Sequence, residues 1–285
     1  SYFYINHLLK PMTEMTPPQI NNQKLQIQTW WFTALLITVN VGLFGWQIVS
    51  GVDITDPAPV DAIAWGADFT PLTFLGQPER LFTSMFFHFG LIHLMLNMWA
   101  LYIFGSVAEQ LFGRLYYIGM YVLAGLMGSV LSSYLTIRDG YELLQHFDRL
   151  AGLQSSLMPH ISAGASGAVM GLGAALTVIS LFPPLPQQRF WLDKKSLLMV
   201  MAINIVFGFT VAGINNAAHI GGMMMGALLA GAWYLGEKIQ KPALIQIGAL
   251  IIGTVLLAAF YFYCTELSTG LDPLWNEILR QNQLS

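Results

Sequence analysis

Charged residues divide this chain into long stretches that contain none: 25–52, 81–108, 115–137, 150–188, 196–236 and 242–265. A helix needs about 20 mostly apolar residues to cross a bilayer, and every one of these runs is long enough. They are continuous apolar runs, not the short alternating segments of a porin-type barrel. The pattern predicts an all-α polytopic membrane protein. Helix 1 is expected over Trp30–Ser50, helix 2 over Ile92–Phe112 and helix 3 over Leu115–Ile137, with a polar loop at 138–160. Helix 4 is expected near Ser166–Phe182, ended by Pro183 and Pro184. The run 196–236 is too long for one span. It divides at Gly213-Ile214-Asn215-Asn216 into helix 5 (Ser196–Ala212) and helix 6 (Ala217–Gly236). Helix 7 follows at Ala243–Tyr263. No charged residue is expected inside a span; the acids are assigned to loops or helix ends.

Composition agrees with this reading. Asp, Glu, Lys and Arg make up 9% of the chain, against about 25% in soluble domains. The net charge of -3, without a basic cluster, gives no basis for nucleic-acid binding. The lone cysteine, Cys264, cannot form an internal disulfide. The polar first 24 residues lack a signal-peptide layout. Orientation follows from Lys and Arg. With the N-terminus cytoplasmic, Lys10, Lys24, Arg114, Arg189, Lys194, Lys195, Lys238 and Lys241 lie inside, and Arg80, Arg138, Arg149 and Arg280 outside. The expected organisation is a cytoplasmic segment at 1–24, six helices over 25–240, a seventh helix at 241–265 and an exterior tail at 266–285. The expected location is a cell membrane.

Polar side chains within a bilayer are costly and mark function. Three groups stand out: His88, His93 and Asn97 around the start of helix 2, Ser166 at the start of helix 4, and His219 in helix 6. His93 and Asn97 are four apart and share a helix face. In the expected topology helices 2, 4 and 6 all begin at the exterior, so the three groups lie at one depth. Gly167, Gly171 and Ala175 on helix 4, and Ala218, Gly222, Gly226 and Ala230 on helix 6, recur at four-residue steps. Such stripes let helix backbones approach closely in lipid. Ser166 borders one stripe and His219 the other, so close packing could bring a base within reach of a serine nucleophile. Each element has a plainer reading: a small packing serine, a structural histidine, a hydrogen bond between helices. A zinc site from His88, His93 and His219 is the weaker alternative, because no His-Glu-x-x-His is present and no acid is close to these histidines in sequence. Gly164-Ala165-Ser166-Gly167-Ala168 is not the Gly-x-Ser-x-Gly elbow of α/β-hydrolases.

Taken together, the motifs resemble the rhomboid intramembrane serine proteases. The matching pieces are Arg80-Leu81-Phe82-Thr83-Ser84, His88-x4-His93-x3-Asn97, Gly105-x3-Glu109, Gly164-x-Ser166-Gly167 and Ala218-His219-Ile220-Gly221-Gly222, in family order across 80–222. The resemblance implies a six-helix rhomboid core plus one C-terminal transmembrane helix. It implies Ser166 as nucleophile, His219 as general base, and an oxyanion site from His93, Asn97 and the Ser166 backbone N–H. It also implies that residues 51–91 include the family's first loop, with Arg80 as an anchor. Two positions depart from the family pattern: Glu79 stands where Trp is common, and Met170 where some bacterial members carry a Tyr against the catalytic histidine. A thioether can pack on an imidazole instead.

The implied reaction is peptide hydrolysis within the membrane by a Ser-His dyad, with no metal or cofactor. The implied partners are the lipid bilayer and single-span membrane proteins whose helices unwind near small or helix-breaking residues. The rival reading within the family is an inactive rhomboid-like protein that binds client transmembrane helices. A channel or transporter would call for paired half-helices or charge at the midplane, and no charge is expected within a span.

Overall fold

A computed structural model describes residues 29–145, 158–185, 192–210 and 215–281. The expected N-terminal segment at 1–24, much of the 138–160 loop and the first half of the break at Gly213–Asn216 lie outside these residues. The fold is helical, and a helix stands at each of the seven expected spans. The first is α1 (Trp31–Val49). The chain then makes a compact excursion: α2 (Pro59–Ala64), β1 (Asp68–Phe69), α3 (Thr70–Phe74), α4 (Arg80–Thr83) and a 3₁₀ turn at Ser84–Phe86. The second span is α5 (Gly90–Ala100), a π turn at Leu101–Gly105 and α6 (Ser106–Phe112). α7 (Arg114–Gln145) is the third. β2 (Ile161–Ser162) pairs antiparallel with β1, Asp68 opposite Ser162 and Phe69 opposite Ile161. α8 (Ser166–Leu181), α9 (Lys194–Thr210), α10 (Asn216–Lys238) and α11 (Pro242–Ser268) stand at the remaining expected spans, and α12 (Asp272–Gln281) follows.

Trp31–Val49, Gly90–Phe112, Arg114–Gln145, Asn216–Lys238 and the α11 stretch are long and apolar enough to cross a membrane. α8 is shorter, at 16 residues, and is buried along most of its length. It packs between α7 and α10 in the main core, where Leu172, Ala175 and Leu176 meet Tyr117, Met120, Ala124 and Leu229. α11 instead exposes Leu244, Ile247, Ile251, Val255 and Phe262. A helix with an apolar exposed face suits lipid as its solvent. The chain is therefore an integral membrane protein.

The excursion after α1 is tied down by backbone acceptors. Arg80 Nη1 donates to the carbonyls of Ile63 (2.8 Å) and Ala67 (2.9 Å), and its Nε to Gln77 Oε1. Thr83 Oγ1 donates to Gly66 O at 2.7 Å. The arginine thus holds together turns that have no strand ladder of their own.

Two features differ from the sequence reading. α7 continues through residues 138–145, expected as loop, because α12 gives the extra turns something to pack on. Gly140 abuts Leu271 and Trp275, Tyr141 Oη donates to Leu267 O at 2.7 Å, and Trp275 is fully buried among Ile63, Phe69, Leu72 and Ile137. The second difference is the burial of a charge at a span end. Glu109 is buried within the second span, where its carboxylate accepts the Phe32 N–H (3.1 Å), the Thr33 N–H (2.8 Å) and the Thr33 hydroxyl (2.9 Å). Those amides lie in the first turn of α1, whose residue Trp30 supplies no side-chain cap. A carboxylate there satisfies orphan donors and faces the positive end of the helix, which makes its burial tolerable.

Candidate active site

α5 starts at Gly90, whose φ of +84° favours glycine. Its hydrogen-bonding surroundings fix His93 one turn later. The Phe89 N–H donates to His93 Nδ1 at 3.2 Å, so Nδ1 carries a lone pair and the neutral ring carries its proton on Nε2. Nε2 lies on the edge that faces the turn before Ser166: a Cβ on Gly164 would come within 2.9 Å of His93 Cε1, 3.1 Å of Nε2 and 3.9 Å of Asn97 Nδ2. Asn97 donates one N–H to His93 O at 3.0 Å, which leaves its second N–H for another acceptor. Two side-chain donors therefore sit beside the Gly164-Ala165-Ser166 turn. Gly164 takes φ +110°, and its N–H donates to Ser84 O at 2.8 Å.

Ser166 opens α8 and is half-buried. Its hydroxyl is therefore at the end of the helix where backbone N–H groups lack helical acceptors. His219 lies in the first turn of α10 and is buried. The two helices touch through backbone. A Cβ on Gly222 would fall on the Gly167 carbonyl, and one on Gly226 would fall on the Gly171 carbonyl. A Cβ on Gly167 would be 3.2 Å from Ala218 O, and one on Gly128 of α7 would also run into that carbonyl. Gly167 follows Ser166 and Ala218 precedes His219, so the closest helix contact in this region is next to both. No hydrogen bond joins Ser166 to His219 among the described residues, and His219 Nδ1 is buried without a partner there. Catalytic hydrogen bonds are often long before substrate binds.

His88 is fully buried, its ring centroid 5.3 Å from that of His93. Among the described residues, no three His, Cys, Asp or Glu side chains converge as a metal would require. Met170 packs with Ala174, Met201 and Met223, while Glu79 is exposed.

A polar network beside the site was not read from the sequence. Asp68 is buried and accepts hydrogen bonds from Thr73 Oγ1 and, at 3.1 Å, from Ser133 Oγ. Burial pushes its carboxyl up to about 6, against the opposing pull of those two hydroxyls and of Arg80. Asn215 donates to Ser132 Oγ and Ser162 Oγ and caps α10 by accepting the Ala218 N–H. The one legible signal was Asn just before an apolar helix, a common N-cap.

The sequence profile of the Rhomboid domain matches residues 75–238, more than half of the chain. The chain belongs to the rhomboid family. It is 29% identical over 240 residues to the rhomboid protease AarA of Providencia stuartii, covering 81% of this chain and 82% of that one. It is likewise 29% identical over 230 residues to the rhomboid protease GluP of Bacillus subtilis, which spans 80% of this chain but 38% of the relative. Similarity to the mitochondrial RHOMBOID-like protein 6 of Arabidopsis thaliana is 36% over 155 residues, 53% of this chain and 42% of that one.

Proposed function

We propose that this rhomboid is an intramembrane serine endopeptidase that cleaves transmembrane helices of membrane protein substrates. Ser166 is the nucleophile and His219 the general base. The observation that carries the reading is the backbone contact of Gly167 with Gly222, which brings the starts of α8 and α10 together. His219 takes the Ser166 hydroxyl proton, and the oxygen attacks the scissile carbonyl. The developing oxyanion accepts hydrogen bonds from His93 Nε2–H, the free Asn97 N–H and the Ser166 backbone N–H. His219 then passes its proton to the leaving amine, and water entering from the exterior hydrolyses the acyl-enzyme.

Single-span proteins with small or helix-breaking residues are the proposed substrates, since an intact helix keeps its carbonyls in hydrogen bonds. The chemistry calls for no metal, and EDTA should leave cleavage unchanged. The deciding experiment is cleavage of a reporter transmembrane substrate in proteoliposomes, with fluorophosphonate labelling as a second readout. Wild type should cleave and label, whereas Ser166→Ala should do neither. A silent wild type would favour the inactive, client-binding reading.

The proposed layout is a six-helix core at 25–240 and a seventh helix at 241–265 in a bacterial inner membrane, with a cytoplasmic N-terminus and an exterior C-terminus. The excess of Lys and Arg in the segments assigned inside supports it. Single cysteines at Lys194 and Asn276, both exposed, test it in a Cys264→Ser background. An impermeant maleimide should reach position 276 in intact cells and position 194 only after lysis.

A further inference from the structure

We infer that Asn215 is a positioning residue, fastening the turn that carries His219 to the strand that leads into Ser166. The inference rests on the Ser166–His219 reading proposed above. The Asn215 side chain has one acceptor and two donors, and all three are used. Oδ1 accepts the Ala218 N–H at 3.0 Å, while Nδ2 donates to Ser162 Oγ at 2.9 Å and to Ser132 Oγ. Its backbone carbonyl accepts the His219 N–H at 3.2 Å. A helix cap alone needs only the acceptor, which Ser, Thr or Asp supplies equally well. Only an amide both caps the helix and donates outward twice.

What those two donors reach gives the arrangement its meaning. Ser162 is four residues before Ser166, and in the two-stranded ladder it stands opposite Asp68. Asp68 in turn accepts from Ser133, the neighbour of Ser132 on α7. The connections close on themselves: Asn215 to Ser162, across the ladder to Asp68, on to Ser133 and Ser132, and back to Asn215. The glycine contacts of α8 with α10 set how close the two helices come. They leave open where the turn before Ser166 sits relative to the first turn of α10. The closed network fixes that remaining freedom, and it does so one helical turn from His219.

The test compares Ser162→Ala, which cuts the tether and keeps the cap, with Asn215→Ser, which keeps a cap acceptor and lacks the two amide donors. Cleavage constants, the rate constant of fluorophosphonate labelling and the melting temperature are measured on full-length protein in proteoliposomes. Misplacement of reacting groups by about 1 Å can cost on the order of a hundredfold in rate. Each variant should therefore lose ten- to a hundredfold, as an order of magnitude, in kcat and labelling rate, with KM and melting temperature close to wild type. The double variant should be little worse than either single one, because both cut the same tether. A purely structural role would instead lower the melting temperature and the fraction of protein that labels, at an unchanged rate constant. Wild-type labelling rates in both variants, with Ser166→Ala silent, overturn this inference alone. Equal labelling of wild type and Ser166→Ala overturns the dyad and this inference with it.

Discussion

Gly222 and Gly167 meet with no room for a side chain between them: a Cβ on Gly222 would fall on the Gly167 carbonyl oxygen. Gly222→Ala must therefore push α10 away from α8 immediately beside His219 and Ser166. Overpacking of this kind costs about 1–3 kcal/mol, and the accompanying displacement should lower kcat by on the order of a hundredfold. Gly231 on the same helix is the control, since a Cβ there meets nothing within 4 Å. Gly231→Ala should leave cleavage unchanged and stabilise slightly, by up to ~1 kcal/mol from helix propensity. Melting temperatures and cleavage rates of the two variants, measured side by side, check both halves. Equal losses at the two positions would contradict the contact.

The spans and the small-residue stripes were legible because each rests on a one-dimensional pattern: charge-free length for the spans, a four-residue step for the stripes. The common depth expected for His93, Asn97, Ser166 and His219 came from the order of the spans alone. The burial of Glu109 was not legible because its partners, Phe32 and Thr33, are 77 and 76 residues away in sequence. No local pattern announces a cap supplied by another helix. The long end of α7 was missed for a similar reason. Residues 138–145 look like loop until Leu271 and Trp275 cover them. The α12 face of Leu274, Trp275, Ile278 and Leu279 carried a helical spacing that could have been read. The Asp68–Ser133 and Asn215–Ser162 bonds join elements distant in sequence and have no signature in it.

The proposed oxyanion donors should fail in a distinctive way. Losing one such donor in other serine proteases costs about 2.7–4 kcal/mol in the transition state. His93→Ala and Asn97→Ala should each lower kcat accordingly, with KM little changed. His93→Ala removes the acceptor of the Phe89 N–H as well, whereas Asn97→Ala leaves that bond in place. The His93 variant should therefore lose some stability, by about 1 kcal/mol, and the Asn97 variant less. A rise in KM at constant kcat would assign these groups to ground-state binding instead.

Glu109 separates stability from catalysis. It lies sixteen residues after His93 along the second span, roughly 24 Å at 1.5 Å per residue. Glu109→Gln places an amide N–H against the first-turn donors of α1, so at least one of three hydrogen bonds is lost. Bonds to a charged acceptor are worth about 1.5–3 kcal/mol each, and Glu109→Ala, which strands all three donors, should cost more. Unfolding in mixed micelles reads the loss. Cleavage per folded molecule, measured well below the transition, should stay within about twofold of wild type, since nothing in the site touches this carboxylate.

Asp68 gives the chain a pH dependence with an unusual sign. Its carboxyl is pushed up to about 6 from an ordinary 3.8, chiefly by burial. Between about pH 4 and 6 the folded state then holds the proton more tightly than the unfolded chain does. Folding is favoured by protonation, so this group's contribution improves as pH falls through 6 towards 4 and is least favourable at neutral pH. A gap of about two pH units corresponds to roughly 3 kcal/mol at full ionisation. Asp68→Asn keeps an acceptor for Thr73, and the Ser133 hydroxyl can rotate to accept from the amide. The variant should melt higher than wild type at pH 7.5, and the difference should shrink as the buffer is taken to pH 4.5. A wild type that instead loses stability relative to Asp68→Asn on acidification would mean that Thr73, Ser133 and Arg80 outweigh the burial of the charge.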